Sequence, residues 1–216
     1  MSQNLNVEII DISPMISSKI AVFPGDTAFQ EDFLMHTDHG QHLTLSKITT
    51  TVHLGAHTDA PNHYAAGADS IEKRSLDFYL GECQVIEVFC QRGSRVQIKD
   101  LRGQKIQAER ILFKTKSFPN PNQWNDDFVS LSAELINELA LKKVKLVGID
   151  TPSIDPAQDK TLESHLAVYK NNMAILEGIV LDQVADGIYE LIALPLKIQG
   201  ADATPVRAIL RKRNHL

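Results

Sequence analysis

A chain of 216 residues, 43% hydrophobic and 23% charged, has ordinary globular composition and enough length to bury one core without covalent staples. Its formal net charge of −5, with basic residues scattered except for Arg211-Lys212-Arg213, argues against nucleic acid or an acidic membrane as the main partner. The N-terminal Met-Ser-Gln-Asn-Leu-Asn has neither a basic region nor an apolar run, and no later window approaches the roughly 18 consecutive apolar residues of a membrane span, so a cytoplasmic protein is expected.

In chain order, Val7 to Ile12 reads as a first strand, closed by Ser13-Pro14. Ile20 to Phe23 is short and apolar and is broken by the turn signal Pro24-Gly25-Asp26. Phe23 is therefore either exposed on a loop or a core aromatic. Leu43 to Thr51, with its β-branched end, predicts a strand that feeds the densest stretch of chemistry in the chain, His53 to His63. Alternate strand side chains share a face, so His53, His57 and Asp59 are expected on one side, with Gly55 leaving room for an ion or substrate to approach the backbone. Pro61 cannot donate to a ladder; the strand should end near Asp59 and leave His63 on the following loop.

Beyond it, Ser70 or Ser75 can cap a short helix leading to Tyr79. Strands are predicted over Gln84 to Phe89 and Arg110 to Thr115. Cys83 and Cys90 bracket the first of these and lie about 23 Å apart if it is extended at ~3.3 Å per residue, which excludes a disulfide between them. Ser117 to Asp127 is rich in turn formers and holds the only Trp, Trp124, as a substrate lid or a packing anchor. Ser132 caps a helix running to Ala140, and Val144 to Asp150 follows as a strand, giving a β-α-β alternation. A second helix near Lys160 to Lys170 has Leu162, Leu166 and Tyr169 as its apolar stripe, with His165 one position off centre. Ala174 to Leu181 is apolar with one carboxylate, Glu177, and Tyr189 to Ile198 and Val206 to Arg211 read as final strands. No linker divides the chain, so residues 1–216 are expected to form one α/β domain.

Three imidazoles and a carboxylate within eleven residues suit a borderline divalent metal such as zinc or manganese. Glu177 is costly to bury unless it is paired with an arginine or bound to a metal. His165 alone is unremarkable; together with Glu177 it offers a second ligand group from a distant part of the chain, as two-metal hydrolases require.

The run His53-Leu54-Gly55-Ala56-His57-Thr58-Asp59-Ala60-Pro61-Asn62-His63 matches His-x-Gly-x-His-x-Asp-x-Pro-x-His without a gap. On this motif the chain resembles the cyclase-like metal-dependent hydrolases. Gly55-Ala56-His57, Asp59-Ala60-Pro61 and His63-Tyr64 are similar to their bacterial kynurenine formamidase (arylformamidase) branch. The resemblance continues through Pro24-Gly25-Asp26-Thr27, Val147 to Ser153, Ser164-His165, Ile175 to Gly178 and Gly200 to Arg207, nearly the whole chain. It implies a mixed β-barrel-like core with flanking helices, the swivelling β/β/α arrangement. It also implies two divalent metal ions, most often zinc with manganese as the other choice: His53 and His57 on the first, His165 on the second, Asp59 and Glu177 bridging both. His63 is then the acid/base, and Phe23 stands where the branch usually places a substrate-contacting Trp, keeping an aromatic wall without the indole donor.

The implied reaction is hydrolysis of a small-molecule substrate, N-formyl-L-kynurenine, to L-kynurenine and formate, a step of tryptophan catabolism by the kynurenine pathway. The implied assembly is a homodimer or homotetramer with N-terminal segments contributing across the interface. Two other functions fit the same residues: a related hydrolase opening a cyclic amide such as isatin, and a non-catalytic metal-dependent binding protein.

Overall fold

The structure, a computed structural model, describes residues 8–212, so Val7 of the expected first strand lies outside the described residues. Its strands in chain order are β1 (Ile9–Asp11), β2 (Gln30–Met35), β3 (Leu45–Thr49), β4 (His57–Asp59), β5 (Leu80–Glu87), β6 (Arg95–Val96) and β7 (Arg110–Lys114). There follow β8 (Ser130–Leu131), β9 (Leu146–Ile149), β10 (Ala174–Leu176), β11 (Gly187–Ile192), β12 (Ala203–Pro205) and β13 (Ile209–Arg211). Two α-helices, α1 (Ala133–Leu141) and α2 (Glu163–Lys170), join them.

Seven strands form one mixed sheet in the order β1-β13-β11-β5-β7-β9-β10, antiparallel up to β5 and parallel from β5 to β10. The near-continuous apolar runs of β7, β9 and β10 mark strands buried on both faces. Ile111, Phe113, Val147, Ile149 and Ile175 point to one side, where Leu135, Ile136 and Leu139 of α1 and Val168 of α2 cover them. Leu112, Leu146, Ala174 and Leu176 alternate to the other side and pack with Ile12, Tyr79, Val85, Leu191 and Leu210, about which the sheet curls as a half-barrel. The mixed α/β, barrel-like core with flanking helices is thus present.

Ser132 caps α1 as expected, its hydroxyl accepting from the Leu135 N–H at 3.2 Å. Elsewhere local structure departs from the sequence reading. Ser70 and Ser75 precede two single 3₁₀ turns, Ile71–Lys73 and Leu76–Phe78, and no α-helix. In α2 the buried face is Ser164, His165, Ala167 and Val168, while Tyr169 is exposed; the helix turns its polar, functional residues inward, and not the stripe of Leu162, Leu166 and Tyr169. Residues 193–202 are not a strand, and the last strands are the short β12 and β13. Cys83 and Cys90 are unpaired.

The strand expected to run through the motif stops at Thr49. β3 pairs only with β2, in a two-stranded ribbon away from the main sheet. The chain then turns, with Gly55 in the left-handed region at φ 57°, and resumes as β4 at His57. Gly55 lines a cavity, and a Cβ on it would lie 3.2 Å from the side chains of Ile20 and Pro14. A Cβ on Gly178 would lie 2.1 Å from the Gly55 carbonyl oxygen, so Gly178 lets two backbones cross in contact.

Candidate metal centre

β4 is the strand on which the centre is built. His57 and Asp59, two residues apart, share one of its faces. Along one edge β12 pairs with it, Ala203 opposite Asp59 and Pro205 opposite His57. Along the other, His57 and Glu177 exchange two backbone hydrogen bonds of 3.0 and 2.9 Å, and the Thr58 hydroxyl donates to the Ile175 carbonyl at 2.6 Å. Main-chain pairing therefore brings residues 53–63 and the end of β10 together, and α2 delivers His165 to the same point.

The five expected donors converge. Asp59 Oδ1 lies 3.0 Å from His53 Nδ1 and 3.5 Å from His57 Nε2, and Asp59 Oδ2 lies 3.4 Å from His165 Nε2. Glu177 spans the same two sides, Oε2 3.2 Å from His57 Nε2 and Oε1 3.6 Å from His165 Nε2. Three donor groups result: His53, His57 and Asp59, and Asp59, His165 and Glu177, which share Asp59, and a third at the open edge, His53, His63 and Asp202. No arginine pairs with Glu177 among the described residues; Oε1 accepts from the Ile154 N–H at 2.6 Å, and Oε2 faces the cluster.

Two observations fit this set to a divalent cation. Asp59 Oδ1 is buried and accepts no hydrogen bond, although two ring nitrogens stand beside it, because no N–H is aligned with it. A buried acceptor left in that state costs about 1–3 kcal/mol or more when charged, which a cation at the shared focus removes. Second, each ligand nitrogen is set by a bond at its partner nitrogen. His57 Nδ1 donates to the Gly55 carbonyl at 2.9 Å, leaving Nε2 toward Asp59 and Glu177. His165 Nδ1 donates to Asp155 at 2.7 Å, leaving Nε2 toward the same carboxylates.

The electrostatics say that positive charge belongs here. Burial opposes a charged imidazole at His53, but the Asp59 carboxylate, with Asp202 and Glu177, outweighs it and raises the pKa to about 9. At His165 burial is likewise outweighed, by Asp155, Asp59 and Glu177, and the pKa rises to about 10. Asp59 is held well below the usual carboxylate range despite burial, through His165 and His53.

His63 stands outside the two groups that share Asp59. It ends the 3₁₀ turn Pro61–His63, one turn beyond β4, a third exposed, with its ring centroid 4.2 Å from that of His53. Both rings line a cavity of about 520 Å³ whose floor is the donor cluster. Phe23 lines the cavity of its own chain, on a loop and 37% exposed, so the loop reading holds and the core reading does not. Trp124 packs edge-on against it with centroids 4.8 Å apart, and also against the buried Phe128 at 5.9 Å. The Ala21 N–H donates to the Pro121 carbonyl at 2.9 Å, tying the two loops, so Trp124 is both anchor and cavity wall.

Sequence reasoning missed Asp155 and Asp202. Fully buried Asp155 holds the His165 ring and the Ser164 and His165 N–H groups, and is itself held by Arg95 at 2.5 Å. Asp202, just before β12, accepts from His53 Nε2 at 3.1 Å and from His63 Nδ1 at 3.3 Å. Asp155 lies in Thr151-Pro152-Ser153-Ile154-Asp155-Pro156, whose composition marks only a turn, and Asp202 has no spacing that marks it.

An aromatic-walled cavity floored by imidazoles and carboxylates, on a curled mixed sheet, is the architecture of a metal-dependent hydrolase. The family model described as putative cyclase matches residues 10–156. A kynurenine formamidase of Maricaulis maris (strain MCS10) is 42% identical over 203 residues, 94% of this chain and 97% of its own. Among solved structures, a predicted metal-dependent hydrolase from Bacillus stearothermophilus superposes with a TM-score of 0.82 at 26% identity, covering 96% of this chain and 99% of that one. Isatin hydrolase A from Labrenzia aggregata superposes at 0.79 over 95% and 93% of the two chains, but at 21% identity it shares the fold alone. The chain belongs to the cyclase family of hydrolases.

Proposed function

We propose that this chain is an arylformamidase, hydrolysing N-formyl-L-kynurenine to L-kynurenine and formate. The observation that carries the reading is the pairing of a two-group donor cluster sharing Asp59 with a separate, cavity-facing imidazole, His63. The extent of identity to a formamidase, 42% over 94% of the chain, supports the substrate.

On this reading His53 and His57 would hold one divalent ion and His165 a second, with Asp59 and Glu177 as donors common to the site; zinc is the first choice and manganese the next. Metal bound by these donors supplies Lewis acidity, making water more acidic and a carbonyl more electrophilic. The chain's own part is binding and proton transfer. Phe23 and Trp124 offer an aromatic wall for the aryl ring. Water adds to the formyl carbon and the C–N bond breaks. The anilide anion is too basic to leave unaided, so His63 takes a proton from water and delivers it to the departing nitrogen. A purely structural or ligand-storing metal domain would give His63 no such duty.

The rest of the reading follows from the same residues. Residues 1–216 form one domain, supported by the pairing of β1 with β13 at opposite ends of the chain. Its partner is a second copy, as a homodimer or a pair of dimers. The β2–β3 ribbon exposes Phe33, Leu34, Leu45 and Ile48, and a two-stranded ribbon is not stable uncovered. Light scattering in solution is expected to give a dimer or tetramer; a monomer at micromolar concentration contradicts this. Unpaired Cys83 and Cys90 suit the reducing cytoplasm. For the activity itself, formylkynurenine and isatin are assayed side by side. Expected is turnover of formylkynurenine well above that of isatin; the reverse order overturns the substrate assignment.

A further inference from the structure

One side chain outside the two donor groups that share Asp59 touches both a donor of those groups and the proton carrier. Asp202 Oδ2 lies 3.1 Å from His53 Nε2 and 3.3 Å from His63 Nδ1. Its place is fixed by main chain on two sides: the Ala60 N–H donates to the Asp202 carbonyl at 2.7 Å, and the Ile71 N–H to the Ala201 carbonyl at 3.0 Å. Asp202 therefore sits beside the end of β4, between the residue that precedes the His63 turn and the first residue of β12.

An ionised carboxylate only accepts hydrogen bonds, so each ring nitrogen that faces it must carry its proton. For His53 this fixes Nε2–H and leaves the Nδ1 lone pair toward Asp59, the orientation a metal ligand needs. For His63 it fixes Nδ1–H, which is the less populated tautomer of a free imidazole, and leaves Nε2 as the nitrogen able to take a proton. We infer that Asp202 is the positioning residue of the centre, one carboxylate oxygen setting the ring orientation of a donor histidine and the tautomer of the proton-carrying histidine together. The inference rests on the proposed role of His63 and adds to it the group that makes the role possible. It also explains why an aspartate is placed here, partly open to solvent and without an arginine or lysine partner among the described residues.

The test uses the zinc-loaded full chain. Ring nitrogen shifts of His63 are read by ¹H–¹⁵N correlation in the wild type and in Asp202→Ala, beside metal per chain, KM and kcat. Expected is the Nδ1–H tautomer in the wild type and a shift toward Nε2–H in the variant. With this, metal affinity should weaken about 10- to 100-fold, the usual cost of losing a partner behind a ligand histidine, and, with zinc in excess so that the centre stays loaded, kcat per loaded chain should fall about 10²-fold, the low end of what a positioned acid/base contributes, at KM within about twofold. His63 in the same tautomer in both proteins overturns the inference, as does a loss of kcat that follows only from lost metal. Should Asp202→Ala not fold, Asp202→Asn, which keeps the size but presents an NH₂ as well as an oxygen, is read by the same measures and judged by the same results. The tautomer is read without substrate. Failure to hydrolyse formylkynurenine would therefore undo the substrate assignment and leave this inference standing or falling by itself.

Discussion

The two flanks of Asp59 are built differently. On one, His165 is buried on α2, its Nδ1 held by Asp155, which is held in turn by Arg95 and two backbone N–H groups. On the other, His53 and His63 look into the cavity, and their common partner Asp202 is half-exposed. The sealed flank has little freedom, since the His165 ring is buried and held at Nδ1 by an Asp155 that is itself fully bonded. The open flank keeps groups that can exchange protons with a substrate. The centre thus separates a side suited to holding charge from a side suited to moving it.

Substitutions can break or sharpen this contrast. The largest effect is expected at Asp59, which both flanks share: Asp59→Asn should abolish turnover and empty the centre, as metal analysis would reveal, and full occupancy would remove Asp59 from it. Glu177→Ala should also lower metal content, and unchanged content would remove Glu177. Next comes the open flank. His63→Ala should keep its metal and lose about 10²- to 10⁴-fold in kcat, the span of general acid/base contributions; near wild-type turnover would end its assigned role.

The sealed flank should respond in the opposite way. Asp155→Asn is expected to weaken metal affinity about 10- to 100-fold, the usual cost of losing a partner behind a ligand histidine, and to lower stability because Arg95 loses its buried charge partner. Competition with a chelator and thermal unfolding read the two effects. Unchanged affinity would mean that Asp155 serves the fold alone.

pH acts on both flanks. With folded pKa values raised to about 9 at His53 and about 10 at His165, the two imidazoles stabilise the metal-free chain. That contribution is fully present below the unfolded value of about 6.5 and is lost as pH rises through the folded values. Metal competes with the same protons, so its affinity should rise over that range. Metal-stripped protein should therefore melt at lower temperature at pH 10 than at pH 7, with a larger gain on adding zinc at pH 10. Equal gains would contradict the charge balance. The smallest effect is expected at the cavity wall: Phe23→Ala should raise KM by about threefold to tenfold, the value of one aromatic contact, and leave kcat nearly unchanged. Trp124, the chain's single indole, should report substrate by a change in its fluorescence.

Much of this was legible in the sequence, for reasons that differ by residue. The donors carry a charge or an imidazole into apolar or closely spaced surroundings, as Glu177 does inside Ala174 to Leu181, and such placements are expensive enough to be conspicuous. The apolar runs of β7, β9 and β10 announce strands buried on both faces. What failed was local geometry. The β-branched run before His53, taken alone, favours a continuous strand. The chain instead leaves the strand at Thr49 and turns at Gly55 to pass against Gly178, a contact between residues more than a hundred positions apart that leaves no pattern in either segment. Asp155 and Asp202 were invisible for the same reason, being defined by what they face and not by what flanks them. On α2 the functional His165 and its neighbour Ser164 occupy the inward face, so a stripe drawn through Leu162, Leu166 and Tyr169 found the wrong side.

The most direct measurement is turnover of N-formyl-L-kynurenine by protein stripped of metal and then reconstituted with zinc or manganese. Expected is no turnover after stripping and recovery in step with metal bound at the Asp59 cluster. Turnover by verified metal-free protein at the rate of the reconstituted enzyme, or none with either metal restored, would contradict the proposed function.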